Sequence, residues 1–397
     1  MIYLNQYAGP LFRELVDDLV QEFGPGELYT GHVEEIERKI SPDIKLISSP
    51  GQNTAGNLAR ILSWLRYCTF VFFKISNKRG GGNLFIVSNP PILPWLGYLF
   101  HKLWGWKYVV LVYDIYPEML INFSGFSSSG PVARAWYFLN RLAFENAEAV
   151  ITIGKYMART LDRMYDSNKT CARETVVIPN WADPDIIRPI QKSKNPFAKK
   201  YAQLDCLTIL YSGTIGIKHN ISAMLQAAIK LNRNINDVHF IFIGRGDGFN
   251  SISKVIEMNK LENTTLLPFL PENQLVFSLA SGDIAVIALE NAGQGVYVPS
   301  KTYYALAAGS AILALCDQEN ELADIVKSYH CGLTVQSDDI EGFIAALHRF
   351  RDDRQFLDTC RQNARIAAET LFSRRNCTQI YKQILRKINF GEERRDI

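Results

Sequence analysis

The sequence predicts an α/β protein of two domains, each built around a parallel β-sheet. Its 397 residues exceed one ordinary hydrophobic core and suit two domains of common size. Short apolar segments of strand length recur in both halves of the chain, and helical patterns separate them. Because strands that alternate with helices form parallel sheets, each half is expected to contain one such sheet.

The first half of the chain contains four helical patterns and four apolar segments. The helices are predicted at 10–23, 57–76, 132–146 and 155–165, and the strands at 84–88, 107–113, 149–153 and 176–178. Residues 24–56 are predicted to be rich in turns.

Two carboxylates follow the predicted strand 107–113, in the segment DIYPE at 114–118. In a doubly wound sheet, side chains just past the carboxyl end of a strand line the ligand crevice. Asp114 and Glu118 are therefore candidate functional residues. The alternative is that Asp114 only caps a turn before Pro117.

The second half repeats the alternation after a segment at 183–196 that is rich in Pro, Lys and Ser, which we predict as a linker. Strands are predicted at 207–211, 238–243, 264–267, 283–289 and 311–315, and helices at 221–231, 301–309, 319–329, 340–351, 354–369 and 376–388. The predicted domains are 1–185 and 186–372, followed by a C-terminal helix and tail at 373–397 that is expected to pack back on the first domain.

The stretch 283–315 combines a strand, a flexible loop, a helix and another strand. Gly293 and Gly295 would let the backbone of the loop approach a ligand. Ser300 is predicted as the N-cap of the helix and Gly309 as its left-handed end. Lys301 lies in the first turn, where a bound phosphate would explain a cation. The alternative is a surface turn with a solvated lysine.

Composition narrows the class of protein. The net charge of +3 argues against a nucleic-acid binder that relies on bulk electrostatics. Seven scattered cysteines without a Cys-x-x-Cys motif suggest neither a zinc site nor a disulfide framework, and a reducing cytoplasm fits them. The N-terminus lacks the features of a signal peptide, and prolines interrupt the longest uncharged segment. We expect a cytoplasmic protein.

Two segments of the first half invite a membrane interpretation. Residues 60–74 place basic residues around an aromatic-rich stripe, and residues 92–106 add three tryptophans with His101 and Lys102. Such mixtures suit a helix that lies in the headgroup region of an anionic bilayer. Buried helices of a large α/β domain have the same composition, and core packing is the favoured alternative.

Glycine-rich loops follow three of the predicted strands in the second half. The segment GTIGIK at 213–218 lies on a strand-to-helix turn, where free N–H groups and Lys218 would hold a diphosphate. It lacks the ending of a Walker loop. The segment GRGDG at 244–248 is followed by Phe249, where a dinucleotide-binding fingerprint needs its third glycine, so a nicotinamide cofactor is weakly supported.

The ordered set of these segments resembles glycosyltransferase family four, whose members use nucleotide sugars, retain the anomeric configuration and have the two-domain GT-B fold. The matching segments are YSGTIGIK (211–218), IGRG (243–246), PFL (268–270) and PSKTYYALAAG (299–309). In the first half, DIYPE (114–118) and IPNWAD (178–183) are similar to the branch that builds bacterial exopolysaccharides and O-antigens. The resemblance implies two Rossmann-like domains whose sheets face an interdomain cleft.

The resemblance also implies roles for individual residues. Asp114 and Lys218 are expected to be catalytic, and the N-terminal domain is expected to bind the acceptor. The donor, a UDP- or GDP-linked sugar, is expected to contact Gly213, Thr214, Lys218, Gly244, Arg245, Phe269, Leu270, Gly293, Gly295, Ser300, Lys301 and Tyr304. The acceptor would be lipid-linked or an oligosaccharide. No metal or other cofactor is expected, because the lysines would replace a metal.

Three positions depart from the pattern of the family. Members commonly carry two glutamates separated by seven residues, where this chain has Val296 and Tyr304. Tyr113 stands where many relatives have a histidine. Two alternatives therefore stay open: a nucleotide-sugar 2-epimerase, and an inactive partner subunit that retains the fold.

Overall fold

The computed structural model describes residues 1–31, 40–53, 55–78, 81–165, 175–216, 221–232 and 237–390. The chain divides into two compact units. The first comprises Met1–Pro179, Gly295–Tyr297 and Arg375–Ile397, and the second comprises Asn180–Gln294 and Val298–Arg374. The predicted linker at 183–196 lies within the second unit, where helix α7 begins at Pro196 and Asn195 caps it.

Within its described residues, the first unit has a parallel sheet of seven strands in the order β3-β2-β1-β4-β5-β6-β7. Its strands are β1 (Ile2–Leu4), β2 (Gly26–Thr30), β3 (Ile44–Ser48), β4 (Asn83–Val87), β5 (Lys107–Val112), β6 (Ala149–Thr152) and β7 (Val176–Val177). Its helices are α1 (Pro10–Phe23), α2 (Asn57–Ser76), α3 (Leu93–Trp104), α4 (Glu118–Ser124), α5 (Pro131–Glu145) and α6 (Lys155–Tyr165).

The second unit has a parallel sheet of six described strands in the order β10-β9-β8-β11-β12-β13. The strands are β8 (Leu207–Thr214), β9 (Val238–Arg245), β10 (Thr264–Pro268), β11 (Ile284–Ala288), β12 (Ala311–Leu315) and β13 (Gly332–Val335). The helices are α7 (Pro196–Lys200), α8 (Ser222–Leu231), α9 (Phe249–Asn259), α10 (Glu272–Leu279), α11 (Lys301–Ala307), α12 (Glu321–Ser328), α13 (Ile340–Asp352), α14 (Arg354–Thr370) and α15 (Arg374–Lys387). All but the first residue of α15 belongs to the first unit, where Tyr381 packs against Phe85.

The predicted α/β class with two parallel sheets is confirmed. The central strands were predictable because every residue of β11 and β12 is buried, as both faces of such a sheet are covered by helices. The prediction of turn-rich sequence at 24–56 is wrong, because β2 and β3 lie there. These strands are short, and β3 has exposed residues that break up an apolar pattern.

An ion cluster holds the amino end of β11 in the second unit. The carboxylate of Asp283 accepts hydrogen bonds from Lys192 at 2.5 Å and from Arg361 at 3.1 Å. It also accepts one from the backbone N–H of Thr208 at 2.8 Å, which ties β11 to β8. The cost of removing this buried carboxylate from water is offset, because it accepts hydrogen bonds from both charged and neutral donors. These bonds hold together the amino ends of the strands, at the sheet edge opposite the glycine loops.

Candidate functional site

The glycine-rich loops of the second unit leave one edge of its sheet. The strands β8, β9, β10 and β11 are parallel neighbours, so their carboxyl ends lie at the same edge, where α/β sheets bind ligands. The predicted donor-contacting residues placed there are Gly213, Thr214, Gly244, Arg245, Phe269, Leu270, Gly293, Ser300, Lys301 and Tyr304. Lys218 lies outside the described residues.

Lys301 is brought next to Gly213. A Cβ atom at Gly213 would lie 3.1 Å from Lys301 Nζ, and the φ angle of this glycine is +140°. The ammonium donates a hydrogen bond to Tyr211 Oη at 2.9 Å and lies 4.2 Å from the centroid of that ring. Tyr211 Oη in turn donates to the carbonyl of Thr214 at 2.6 Å. A tyrosine therefore joins the predicted lysine to the predicted glycine turn.

The charge of Lys301 is not neutralised within the described chain. No carboxylate of the described residues forms an ion pair with its ammonium, whose hydrogen-bond partner is the neutral Tyr211 hydroxyl. Burial lowers the pKa of Lys301 to about 8, because the ammonium has lost much of its water. A partly desolvated cation of this kind is suited to bind an anion.

The loops after β8 and β9 touch through their backbones. Gly213 pairs with Gly244 in the sheet, and a Cβ at Gly244 would lie only 1.9 Å from the carbonyl oxygen of Gly213. The N–H of Ile215 donates to the carbonyl of Arg245 at 2.8 Å. Glycine at 244 is thus required by the packing of the two loops as well as by any ligand.

Arg245 and Phe269 form an exposed pair at the same edge of the sheet. The guanidinium of Arg245 lies 5.1 Å from the ring centroid of Phe269, whose side chain is 59% exposed. Thr214 is also exposed and Leu270 is half-buried. A large exposed aromatic ring beside an arginine offers a surface on which a planar base would stack.

Ser300 is the N-cap residue of α11 as predicted, but without a side-chain cap. It has helical angles, and its side chain makes no capping hydrogen bond. Helix α11 is also only seven residues long, so its dipole is a weak source of positive potential. Gly309 does adopt the left-handed conformation, with a φ of +70°, as predicted.

The predicted loop glycines fall in different units. Gly293 ends a short 3₁₀ helix at Asn291–Gly293 in the second unit. Gly295 is assigned to the first unit, where a Cβ would lie 2.8 Å from Thr160 Oγ1, so close packing explains the glycine. Val296, at one missing glutamate, is buried. Tyr304, at the other, lies half-buried one turn after Lys301 in α11.

Asp114 follows β5 in the first unit. Burial raises the pKa of this carboxyl to about 6, because removal from water disfavours its charged form. The preceding Tyr113 is also enclosed, and its hydroxyl has no hydrogen-bond partner among the described residues. Glu118 accepts a hydrogen bond from Tyr137 at 2.8 Å, and burial raises its pKa despite that bond. With a pKa of about 6, the Asp114 carboxyl is suited to proton transfer near neutral pH.

Sequence reasoning did not assign a role to Tyr211 or to the tryptophans that contact Tyr116. The tyrosine directly precedes the Ser-Gly turn, and that position was the available signal. Trp64 and Trp136 are distant in the chain, and both contact the ring of Tyr116, Trp64 edge to face and Trp136 stacked. No sequence pattern links them.

Two kinds of feature are lacking among the described residues. Their helices include none with the length and apolar character needed to span a bilayer. They also include no group of three or more His, Cys, Asp or Glu side chains arranged to hold a metal ion.

Comparisons with known proteins agree with this architecture. Residues 193–367 match the family described as Glycosyl transferases group 1. The Pseudomonas aeruginosa protein named Probable glycosyltransferase WbjE is 24% identical over 323 residues, which are 80% of this chain and 79% of that protein.

Among solved structures, Anabaena Alr3699/HepE in complex with UDP and glucose superimposes with a TM-score of 0.70 at 13% identity, covering 97% of this chain and 99% of that one. WaaG, a glycosyltransferase involved in lipopolysaccharide biosynthesis, gives a TM-score of 0.69 at 15% identity, covering 96% of this chain and 98% of that one. These likenesses show the fold. Residues 193–367 thus form a group 1 glycosyl transferase domain, and the chain is a glycosyltransferase of the GT-B fold.

Proposed function

We propose that this glycosyltransferase moves a hexose from a UDP- or GDP-linked sugar to a hydroxyl of a lipid-linked or saccharide acceptor. The transfer retains the anomeric configuration and serves the assembly of a bacterial cell-surface polysaccharide. The observation that carries the proposal is the desolvated ammonium of Lys301 beside the Gly213 turn, without a carboxylate partner in the described chain.

The donor reaction needs such a cation. When the bond between the sugar and the diphosphate breaks, negative charge accumulates on the leaving diphosphate. A cation and N–H groups that are already in place stabilise that charge, and they act most strongly where water is excluded. In this proposal Lys301 and the backbone around Gly213 contact the diphosphate, together with Lys218. Arg245, Phe269 and Leu270 contact the nucleoside.

Two relatives support the substrate class. HepE has been solved with UDP and glucose, and WaaG is described as involved in lipopolysaccharide biosynthesis. Both share the GT-B fold with this chain over nearly its whole length. On the acceptor side, Asp114 is proposed to orient the acceptor hydroxyl or take its proton, because a carboxyl with a pKa of about 6 is ionised at neutral pH.

Calorimetric titration with UDP-glucose and GDP-mannose tests the donor site. Lys301→Met should abolish the binding seen with the wild type, since it removes the cation but keeps the length of the side chain. Lys254→Met is the matched control, because Lys254 is an exposed lysine of α9 in the same unit. A wild type that binds no nucleoside diphosphate sugar, or a Lys301→Met variant that binds as well as the control, contradicts the proposal.

Whether the transfer retains the anomeric configuration is tested by a separate measurement. Proton NMR of the glycosylated product should show the anomeric configuration of the donor. An inverted product contradicts retention without affecting the donor site. Donor incubated with the enzyme alone should keep its sugar configuration, and a change at C2 of the sugar would indicate a 2-epimerase instead.

We also propose that α2 and α3 contact an anionic bilayer. The inner face of α2 is core, since Trp64, Tyr67 and Val71 are buried. Its outer face carries exposed apolar side chains at helical spacing, and α3 adds two more. These are Leu58, Ile61, Leu62, Leu65 and Phe73 of α2 and Leu99 and Leu103 of α3.

The charge of this face fits a negative surface. Neither α2 nor α3 contains an acidic residue, whereas Arg66, Lys74 and Lys102 are exposed on them. An apolar stripe with flanking cations is typical of a helix that lies at the boundary of headgroups and acyl chains. A bilayer contact would give the enzyme access to a lipid-linked acceptor.

Vesicle flotation tests the bilayer contact. The wild type should float with phosphatidylglycerol vesicles at low salt and stay at the bottom with phosphatidylcholine vesicles. Leu62→Ser with Leu65→Ser should abolish flotation, and Ile366→Ser, at an exposed apolar position of α14 in the other unit, should not. A wild type that stays at the bottom with both vesicles contradicts the contact.

A further inference from the structure

Tyr211 is a buried residue of β8 whose hydroxyl makes two hydrogen bonds at the carboxyl edge of the second sheet. The hydroxyl accepts from Lys301 Nζ at 2.9 Å and donates to the carbonyl oxygen of Thr214 at 2.6 Å. A phenol has a single proton to donate, and the bond to Thr214 uses it. The oxygen therefore presents only its lone pairs to the ammonium, which fixes the direction of both bonds.

The ring of the same tyrosine makes a second contact with the cation. Lys301 Nζ lies 4.2 Å from the centroid of the Tyr211 ring, within the range of a cation–π interaction. Tyr211 is fully buried and belongs to the hydrophobic core of the second unit, together with Ile209 and Phe240. Because core packing holds the ring, a rigid aromatic side chain fixes the end of a flexible one.

The bond to Thr214 also ties the lysine to the glycine turn. A Cβ at Gly213, the preceding residue, would lie 3.1 Å from Lys301 Nζ and 3.2 Å from its Cε. On the other side of Thr214, the N–H of Ile215 donates to the carbonyl of Arg245 at 2.8 Å, so β9 holds the turn as well. The spacing between the cation and the backbone of the turn is thus set before a ligand arrives.

A neutral partner suits a lysine that has to bind an anion. The four-carbon side chain of lysine is flexible, and most of its rotamers would carry the ammonium away from the turn. A carboxylate would hold the ammonium but would also cancel its charge, and Lys301 has no such partner among the described residues. The Tyr211 hydroxyl holds the ammonium and leaves its charge available to a ligand.

We propose that Tyr211 is a positioning residue for sugar transfer, which holds the Lys301 ammonium and the Gly213 turn at the spacing that the departing diphosphate requires. The assignment deepens the proposed function and rests on it, since it takes the diphosphate as the anion that both groups contact. Tyr211 acts on the donor through Lys301. Charge that is already in place needs no rearrangement when the bond to the sugar breaks, so the loss of Tyr211 should affect kcat more than donor affinity.

The pKa of Lys301 reports whether the hydroxyl holds the ammonium. Burial lowers this pKa to about 8, and an acceptor bonded to the ammonium favours its charged form. Removing the hydroxyl should therefore lower the pKa further. The other titratable groups on α11 and on the elements around it are Tyr303 and Tyr304 of α11, Arg361 and Arg365 of α14, Glu290 after β11 and Asp317 after β12. The two arginines donate to the carbonyls of Gly309 and Ala307, at the far end of the helix from Lys301.

The pH dependence of kcat/KM in Tyr211→Phe tests the assignment. The variant keeps the ring and loses the hydroxyl, so kcat should fall by about tenfold, the usual effect of one hydrogen bond, with little change in donor affinity. The alkaline fall near pH 8 should move to lower pH, because the ammonium has lost its acceptor. In a Lys301→Arg background the same change should not move the fall, since arginine stays protonated. Tyr201→Phe, at a half-buried tyrosine after α7 of the same unit, is the matched control and should keep the wild-type profile.

A measurement on the wild type decides the question if thermal unfolding shows that Tyr211→Phe does not fold. In protein that contains ¹³C-labelled lysine, the ε-methylene signal of Lys301 is identified by its absence from Lys301→Arg. The adjacent aromatic ring should shift this signal upfield of the signals of exposed lysines.

Two results overturn the positioning role. One is a wild-type ε-methylene signal of Lys301 at the position of the exposed lysines. The other is an alkaline fall that is the same in Tyr211→Phe, Tyr201→Phe and the wild type. A wild type that binds no nucleoside diphosphate sugar would instead overturn the proposed function.

Discussion

The two units of this glycosyltransferase place groups of opposite charge at the carboxyl edges of their parallel sheets. In the second unit, the ammonium of Lys301 in α11 is desolvated beside Tyr211 and the glycine turn at the end of β8. After β5 of the first unit, the carboxyl of Asp114 is desolvated, and its charge acts on the nearby Tyr116. The carboxyl edge of a parallel sheet supplies a place for an active group, and the side chains decide which ligand suits it.

Both groups are charged together only in a limited pH range. The carboxyl of Asp114 ionises above about pH 6, and the ammonium of Lys301 deprotonates above about pH 8. Because the pKa of Asp114 is raised, its contribution to stability is lost as the pH rises through about 6. Because the pKa of Lys301 is lowered, its contribution is lost as the pH falls through about 8. Between about pH 6 and pH 8 both groups are charged, and each charge lowers the free energy of unfolding. Charged groups that destabilise the fold in this way are typical of functional sites.

The largest expected effect comes from removing the carboxylate. Asp114→Asn should lower kcat by about 100- to 10,000-fold, the range for a general base, with little change in donor affinity. Steady-state kinetics and donor titration measure the two quantities. Asp43→Asn, at an exposed aspartate of the same unit, is the control. Loss of donor affinity in Asp114→Asn would contradict the assignment of donor binding to the second unit and of acceptor activation to the first.

The dependence of kcat/KM on pH should report the ionisation of both Asp114 and Lys301. The value of kcat/KM should rise as Asp114 ionises near pH 6 and fall as Lys301 loses its proton near pH 8, by about tenfold per pH unit outside that range. Lys301→Arg should shift the alkaline fall upward, because arginine stays protonated. An alkaline fall that is identical in Lys301→Arg and the wild type would show that another group titrates.

The variant Gly213→Ala tests whether the glycine turn in the second unit is needed for donor binding. A Cβ there would lie 3.1 Å from Lys301 Nζ at a φ of +140°, so donor affinity should fall by about tenfold. Stability should fall by about 1–3 kcal/mol, the usual cost of strained backbone. Gly125→Ala is the matched control, because that glycine also has a positive φ but no atom within 4 Å of an added Cβ. Calorimetry and thermal unfolding of both variants separate strain from donor binding.

The smallest effect is expected at the exposed pair beside the glycine loops. Phe269→Ala removes a ring that lies 5.1 Å from Arg245 and should weaken donor affinity by about threefold, the value of an exposed cation–π contact. A much larger loss would mean that the ring stacks directly on the base. Met258→Ala, at the exposed end of α9, provides the control.

Local patterns were enough to predict most of the framework. Helix α1 at Pro10–Phe23 and strand β12 at Ala311–Leu315 have the predicted bounds, because amphipathic spacing and continuous burial leave a direct signal in the chain. Strands β1 and β13 were missed. They have three and four residues, and such short strands are held by pairing with distant neighbours more than by their own sequence.

The sequence by itself determined the two parallel sheets, the order of the glycine loops and the presence of Lys301 and Asp114 after apolar strands, since these depend on neighbours in the chain. Only the tertiary structure decided that Lys301 lies against Tyr211 and Gly213 with a pKa near 8, and that Trp64 and Trp136 meet at Tyr116. Desolvation and hydrogen-bond pairing depend on every atom that surrounds a group, and most of those atoms come from distant parts of the chain.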